Sequence, residues 1–176
     1  MLRTGTLTTI WLLLAFFLQL PAYGALTPEA EKEHKGLFRE FVRLQNYGTE
    51  EEFQQQADTY LGFLKQNRMD TEYFKIKTNV GFFLIEHQHP LKAMQTAMEL
   101  DGEIRAKGDT SLLYLASGLK GDIYKMTHNM PKADSTYRKA LLDVGQKDKK
   151  FEMLVHMSLA EVNLTTDPDK ALEWAD

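Results

Sequence analysis

The sequence contains no cysteine. This excludes disulfide bonds, thiolate metal sites and a thiol nucleophile. It also lacks an excess of positive charge, because 21 Lys and Arg residues face 25 Asp and Glu residues and give a formal net charge of −4. An acidic chain does not offer the basic surface that binds phosphate backbones, so no nucleic-acid partner is expected. With 176 residues, 43% of them apolar, the chain is long enough for one domain with a sizeable core.

Long apolar runs are missing except in residues 10–20. Arg3 precedes this run, and small residues stand before a cleavage point that would follow Gly24. The pattern predicts a secretory signal peptide over residues 1–24 and a periplasmic protein. Its removal takes away one Arg and no acid, which leaves 20 basic and 25 acidic residues and a formal charge of −5. The run is shorter than the roughly 20 residues that cross a bilayer, but an uncleaved membrane anchor is the alternative.

The rest of the chain has the apolar spacing of amphipathic helices and no useful strand-like alternation. Thr27 followed by Pro28 predicts one helix start, and residues 49–52 (Thr-Glu-Glu-Glu) predict a capping box at another. Turns are expected near residues 46–48, 107–109, 146–150 and 165–168. The predicted fold class is therefore all-α.

Four of the predicted helix openings align with one another. They cover residues 50–53, 90–93, 130–133 and 168–171, and their last residues are 40, 40 and 38 positions apart. The last three openings share a Lys-Ala pair and a nearby Pro. Proline suits the first turn of a helix, and alanine allows a second helix to approach closely. The recurrence predicts about three and a half helix pairs in a single repeat domain over residues 25–176.

The spacing within one pair resembles a tetratricopeptide repeat. Small and aromatic residues alternate at offsets 0, +3, +12, +16 and +19, at Gly121, Tyr124, Ala133, Tyr137 and Ala140. The copy is degenerate, because the family's early Trp, the Leu after it and its closing Pro are replaced here. HEAT-type repeats have a similar period, roughly 40 residues, but this spacing favours the tetratricopeptide family. The resemblance implies a right-handed α-α superhelix of helix pairs.

The resemblance also implies a concave groove, lined by the first helix of each pair, that binds a protein or peptide partner. Alignment of the first helices on Gly81 and Gly121 carries this expectation to individual positions. The predicted groove residues are Arg39, Val42, Lys75, Asn79, Phe82, Asp122, Lys125, His156 and Asn163. For each of them the alternative is an ordinary helix-surface or core residue.

Catalytic and metal-binding patterns are not found in the sequence. His87 and His89 are two positions apart and have no carboxylate pair beside them, so they are interpreted as polar loop residues rather than metal ligands. Glu99 and Asp101 point away from each other on a helix and are predicted to be solvated surface. No serine stands in a Gly-x-Ser-x-Gly context. We therefore predict no enzyme activity and no cofactor.

Residues 167–176 predict about two helical turns whose apolar side chains, Trp174 among them, need a partner. A solenoid normally closes with a polar capping helix, so this ending suggests the N-terminal part of a longer protein. A naturally short last helix is the alternative.

The chain is similar to the extracytoplasmic repeat regions of Bacteroidota membrane regulators such as sensor histidine kinases. A free periplasmic scaffold or adaptor is the other hypothesis. Membrane contact is expected only through a further C-terminal part of a longer protein or through an uncleaved signal peptide.

Overall fold

A computed structural model describes residues 26–145, 148–164 and 167–175 of the chain. Within these ranges the chain consists of helices and their connections, without a strand, so the all-α prediction is confirmed. The predicted signal peptide lies outside the described residues. The chain divides into two compact units, unit 1 up to Met69 and unit 2 from Asp70.

Among the described residues, unit 1 contains two helices, α1 (Pro28–Tyr47) and α2 (Glu50–Gln66), and unit 2 contains six. These are α3 (Asp70–Glu86), α4 (Pro90–Ala106), α5 (Leu113–Met126), α6 (Met130–Val144), α7 (Lys149–Asn163) and α8 (Pro168–Ala175). A short 3-10 helix, Thr110–Leu112, leads into α5.

The predicted helix starts are present at the atomic level. Thr27 accepts a hydrogen bond from the backbone N–H of Ala30 and caps α1. At α2, Thr49 and Glu52 form the complete capping box, in which each side chain bonds the other residue's backbone N–H. Such caps satisfy N–H groups that have no partner within the helix.

The helices recur with a strict period over much of the chain. Helical structure begins at residues 50, 70, 90, 110 and 130, in equal steps of twenty. Each of the four connections between these starts holds one residue in the left-handed backbone region, at Arg68, Gln88, Gly108 and His128. In three of these turns the next backbone N–H bonds a carbonyl five residues back, as in Met69 to Leu64. This geometry closes a helix after a fixed number of residues.

The second helices α2, α4 and α6 bury equivalent positions, one set in each repeat of the helix pair. Within each helix the buried side chains follow the spacing 0, +4, +7 and +11, which places them on one face. The fully buried sets are Phe53, Ala57, Tyr60 and Leu64; Ala93, Ala97, Leu100 and Ile104; and Ala133, Tyr137, Ala140 and Val144. The period of 40 that the helix openings show therefore extends to the core.

In unit 1, α1 and α2 pack through aromatic residues. The rings of Phe41 and Phe53 lie 5.1 Å apart, and Phe41 also lies 5.9 Å from Tyr60. The Tyr60 hydroxyl and the Nε2 atom of the buried His34 are 2.8 Å apart and hydrogen-bonded. His34 is thus a core residue of this helix pair.

In unit 2, each helix packs against its neighbours in sequence, and α5 also packs against α3 and α7. Glycines permit the closest approaches. A methyl group at Gly81 would collide with the side chain of Leu119, and one at Gly118 would lie 2.6 Å from the ring of Phe151. The first helices α3, α5 and α7 are therefore in direct side-by-side contact.

Trp174 of the last helix has contacts on two other helices. The guanidinium group of Arg138 on α6 lies 4.8 Å from its ring centroid, and the ring of His156 on α7 lies 5.4 Å away. Its ring therefore has part of its cover within unit 2, whereas Leu172 of the same helix is 66% exposed.

We predict that the left-handed turn positions respond oppositely to glycine and alanine. Gln88→Gly and His128→Gly should each raise the free energy of unfolding by about 1 kcal/mol, since an L side chain is strained at positive φ. Gly108→Ala should lower it by about the same amount, and no steric clash contributes, because nothing lies within 4 Å of the added carbon. Urea unfolding followed by circular dichroism measures all three. If Gln88→Gly and Gly108→Ala changed the free energy of unfolding in the same direction and by the same amount, the turn geometry would be contradicted.

We also predict that Gly121→Ala destabilises unit 2 by about 2 kcal/mol through overpacking. The added carbon would lie 2.5 Å and 2.6 Å from two ring atoms of Tyr137, which is buried and held by a hydrogen bond to Asp122. The matched control is Gly102→Ala on the exposed side of α4, where nothing lies within 4 Å. That change should stabilise the helix by up to about 1 kcal/mol. Thermal unfolding of the two variants separates the effects.

Candidate functional site

The nine predicted groove residues lie on four first helices, with different degrees of exposure. Two of them, Asn79 and Asn163, are buried. Arg39 is exposed, and the other six are partly exposed. By helix, the residues are Arg39 and Val42 on α1; Lys75, Asn79 and Phe82 on α3; Asp122 and Lys125 on α5; and His156 and Asn163 on α7.

Asp122 and Lys125 are brought together in a cluster that joins three helices. The Tyr137 hydroxyl of α6 donates a hydrogen bond of 2.6 Å to Oδ1 of Asp122. The Lys125 ammonium lies 3.6 Å from the same oxygen and donates a hydrogen bond of 2.8 Å to Oε2 of Glu161 on α7. We call these four residues, Asp122, Lys125, Tyr137 and Glu161, the junction cluster.

The protonation of the junction cluster follows from its burial and its charges. Burial raises the pKa of Asp122, and the Lys125 ammonium and the Tyr137 hydroxyl oppose this only in part. Burial also works to lower the pKa of Lys125, but the carboxylates of Asp122 and Glu161 outweigh it and raise that pKa. Burial and the nearby Asp122 raise the pKa of Tyr137, which keeps its hydroxyl protonated as a donor.

His156 and Asn163 belong to a second cluster, at the C-terminal end of unit 2. The Asn163 amide donates a hydrogen bond of 2.9 Å to Asp134 on α6, and Asp134 forms an ion pair of 2.8 Å with Arg138. Arg138 in turn lies over Trp174, whose other neighbour is His156. Burial opposes ionisation of Asp134, but hydrogen bonds from Arg138 and Asn163 outweigh it and lower its pKa. This cluster ties α6, α7 and α8 together.

Sequence reasoning missed an ionic cluster between α3 and α4. The ammonium of the buried Lys77 lies 3.2 Å from Glu99 and 3.0 Å from Glu103. The Tyr73 hydroxyl donates a further hydrogen bond of 3.2 Å to Glu103. The available signal was that Lys77 lies four residues after Tyr73 and three before Val80 and so shares their side of α3. A lysine buried in such a position requires a paired charge.

Asp101 was predicted to be solvated surface, and this is wrong. Its side chain is only 20% exposed and forms an ion pair of 2.7 Å with Lys120 of α5 and another with Arg105. These contacts outweigh its burial and lower the pKa of Asp101. The ion pair with Lys120 joins α4 to α5 through two largely buried side chains.

The described residues contain no group of three or more His, Asp or Glu side chains that could hold a metal ion. Among them, no helix is long and apolar enough to cross a membrane. The arrangement instead offers polar and aromatic side chains, such as Lys75, Phe82 and His156, that are partly exposed on neighbouring first helices. Ionic pairing and aromatic contact are the interactions that these groups can make with a partner.

Comparison of the chain with protein-family models, with curated proteins and with solved structures gives no match.

We predict opposite effects of amide substitution at two largely buried aspartates, Asp122 and Asp134. The pKa of Asp122 is higher in the folded protein than in the unfolded protein, where it is about 3.9. Ionisation of this residue therefore lowers the free energy of unfolding, and the loss develops as pH rises from the unfolded-state pKa through the folded-state pKa. Asp122→Asn should therefore leave stability at pH 7 unchanged or higher and should reduce the decline in stability as pH rises above about 4. Asparagine can still accept the hydrogen bond from Tyr137.

Asp134→Asn is the matched comparison. Because the pKa of Asp134 is lowered in the folded protein, its carboxylate stabilises the fold at pH values above the unfolded-state pKa. This stability is lost as pH falls through the folded-state pKa, so Asp134→Asn should destabilise the protein at pH 7. Urea titrations of both variants at a series of pH values test the pair. A loss of stability of similar size at pH 7 for Asp122→Asn would show that its carboxylate is favoured by the fold.

Proposed function

We propose that this chain is an exported tetratricopeptide-like module that senses or binds a protein or peptide partner. Its helix pairs would belong to a right-handed superhelix, and the partner would lie in the concave groove along the first helices. The module would form the N-terminal, extracytoplasmic part of a membrane signalling protein such as a sensor histidine kinase. The proposal assigns it no catalytic role and no cofactor.

The observation that carries this proposal is the packing of the first helices in unit 2. Helix α5 packs against both α3 and α7, so their partly exposed side chains are presented by neighbouring elements. Each first helix contributes at least one such side chain: Phe82, Lys125 and His156. A row of stacked helices can therefore contact an extended or helical segment at several points, as binding solenoids do.

Stacked helix pairs also suit the signalling role that we propose. Each pair contacts mainly its neighbours, so a small rotation at one interface is passed to the next. A ligand that prefers one arrangement of the pairs shifts the population toward it. The junction cluster lies at such an interface, because it joins α5, α6 and α7.

The alternative proposal is a free periplasmic scaffold that binds a peptide or an envelope protein through the same groove. The two versions differ in what the native coding region holds after Asp176. An apolar run of about 20 residues there supports the membrane receptor. A polar capping helix followed by a stop supports the scaffold.

We predict that a photo-crosslinking amino acid at Phe82 captures a partner in cells that carry the native gene. Phe82 is suitable because its ring is partly exposed on α3 and aromatic probes resemble it. The matched control carries the same probe at Lys139, an exposed position on the second helix α6. Mass spectrometry identifies the adducts.

Specificity is tested with a charge change on the same helix face. Lys75 lies on α3, one helical turn from Asn79. Lys75→Glu should reduce the yield of the Phe82 adduct at least about fivefold, which corresponds to a loss of roughly 1 kcal/mol in binding free energy. Lys139→Glu should leave it unchanged. Adducts of equal yield from Phe82 and Lys139, or insensitivity to Lys75→Glu, would contradict binding along the first helices. Circular dichroism establishes that both variants remain folded.

A further inference from the structure

Helix α7 is apolar on two opposite faces, although only one of them is buried in unit 2. The buried face consists of Phe151, Val155, Leu159 and Val162. On the opposite face, Met153, Met157 and Leu164 are 48%, 53% and 64% exposed. Ala160 lies between them and is partly exposed. We call Met153, Met157, Ala160 and Leu164 the outer seam.

The outer seam has the spacing of a helix-packing surface. Its members follow one another at intervals of four, three and four residues, which keeps them within an arc of about 60° on a helix of 3.6 residues per turn. That alternation is the pattern with which two helices interdigitate in a coiled coil. The solvent side of α6 differs, because Leu142 is accompanied there by Lys132, Ser135 and Lys139. A continuous apolar seam thus distinguishes α7 from α6.

The outer seam is complementary to a reversed copy of itself. When two α7 helices are placed antiparallel, Met153 lies opposite Leu164, and Met157 lies opposite Ala160. The same register places Lys150, one turn before the seam, opposite Asp167, one turn after it. Asp167 donates its backbone N–H to the carbonyl of Asn163 at 2.8 Å, which holds it one turn beyond the end of α7.

Charge selects this orientation over the parallel one. Lys149 and Lys150 are exposed at the start of α7, and Asp167 and Asp169 are exposed just beyond its end. A parallel pair would place lysines opposite lysines and aspartates opposite aspartates. An antiparallel pair instead places Lys150 of each copy opposite Asp167 of the other, one such pair at each end, and also aligns the two helix dipoles favourably.

We propose that two copies of this chain associate through the outer seams of their α7 helices, packed antiparallel about a two-fold axis. The axis passes between Ser158 and Leu159, midway along the seam. Because the first and last residues of the seam are eleven positions apart, it is only about 17 Å long. A contact of this size belongs with small, reversible interfaces, so the dimer forms and dissociates with concentration.

Sedimentation of the full 176-residue chain over a range of concentrations tests the association. Met157→Glu places a charge at the centre of the seam and should raise the dissociation constant of the dimer at least about tenfold. The matched control is Leu142→Glu, which changes another exposed apolar residue, on α6. Both variants keep residues 1–24, so any association through that segment is common to them.

The absence of cysteine allows a direct test of register. In the proposed dimer the two copies of residue 153 are eleven residues apart along the helices, about 17 Å, and cannot form a disulfide. Chains with Met153→Cys alone, or with Leu164→Cys alone, should therefore stay uncrosslinked under mild oxidation. A mixture of the two should form a disulfide-linked dimer, seen on a non-reducing gel.

The proposal is overturned if the chain stays monomeric up to about 100 µM, a concentration that corresponds to a weak affinity for a protein pair. The seam would then be left to a helix of another protein. An equal effect of Met157→Glu and Leu142→Glu overturns it as well. Crosslinking of Met153→Cys chains to one another, without the Leu164→Cys partner, would replace the antiparallel arrangement with a parallel one. Crosslinking only in the mixture supports the register that we propose.

Discussion

The fixed length of helix plus turn is the constraint on which the rest of this structure depends. Between residue 50 and residue 130, helical structure starts at equal intervals, and a left-handed turn residue closes each segment. Because all these segments have the same length, the same side of every second helix returns to the core in each repeat. This is why Ala93 and Ala133, or Leu100 and Ala140, are buried in equivalent positions. The glycine contacts of the first helices, such as Gly121 against Tyr137, depend on that alignment.

The sequence could predict the period of 40 but not the period of 20 within it. Helix openings have recognisable chemistry: Thr49 with Glu52 forms a capping box, and a Lys-Ala pair with a nearby Pro recurs. Three of the four left-handed turn residues, Arg68, Gln88 and His128, are polar but differ in charge and shape, and none of them is a glycine. Backbone hydrogen bonds of the turn impose their conformation, so no residue pattern marks them. The all-α class and most helix limits were accessible because they follow from local periodicity, which acts within one helix.

The candidate site was predictable only within single helices. Asp122 and Lys125 could be assigned to one face of α5, since they are three residues apart. Their partners Tyr137 and Glu161 come from α6 and α7, and which residues meet there depends on how the helices pack. Asp101 shows the same limit, because its pairing with Lys120 exists only once α4 and α5 are side by side. Ionic contacts between helices therefore need the fold, whereas the assignment of residues to one face of a helix needs only the helix.

On α7, the proposed association surface lies next to a residue of the junction cluster in the proposed groove. Glu161 follows Ala160 of the outer seam directly, and it is 66% exposed while it pairs with Lys125 of the junction cluster. A helix packed on the outer seam would shield Glu161 from water. Ion pairs strengthen when water is excluded, so coverage of the seam would hold Lys125 more firmly against Glu161 and away from a ligand in the groove.

Conversely, a ligand carboxylate that takes Lys125 would leave Glu161 unpaired beside the seam, where burial of its charge opposes association. The same reciprocity follows from linkage: whatever dimerisation does to the affinity for such a ligand, the ligand must do to dimerisation.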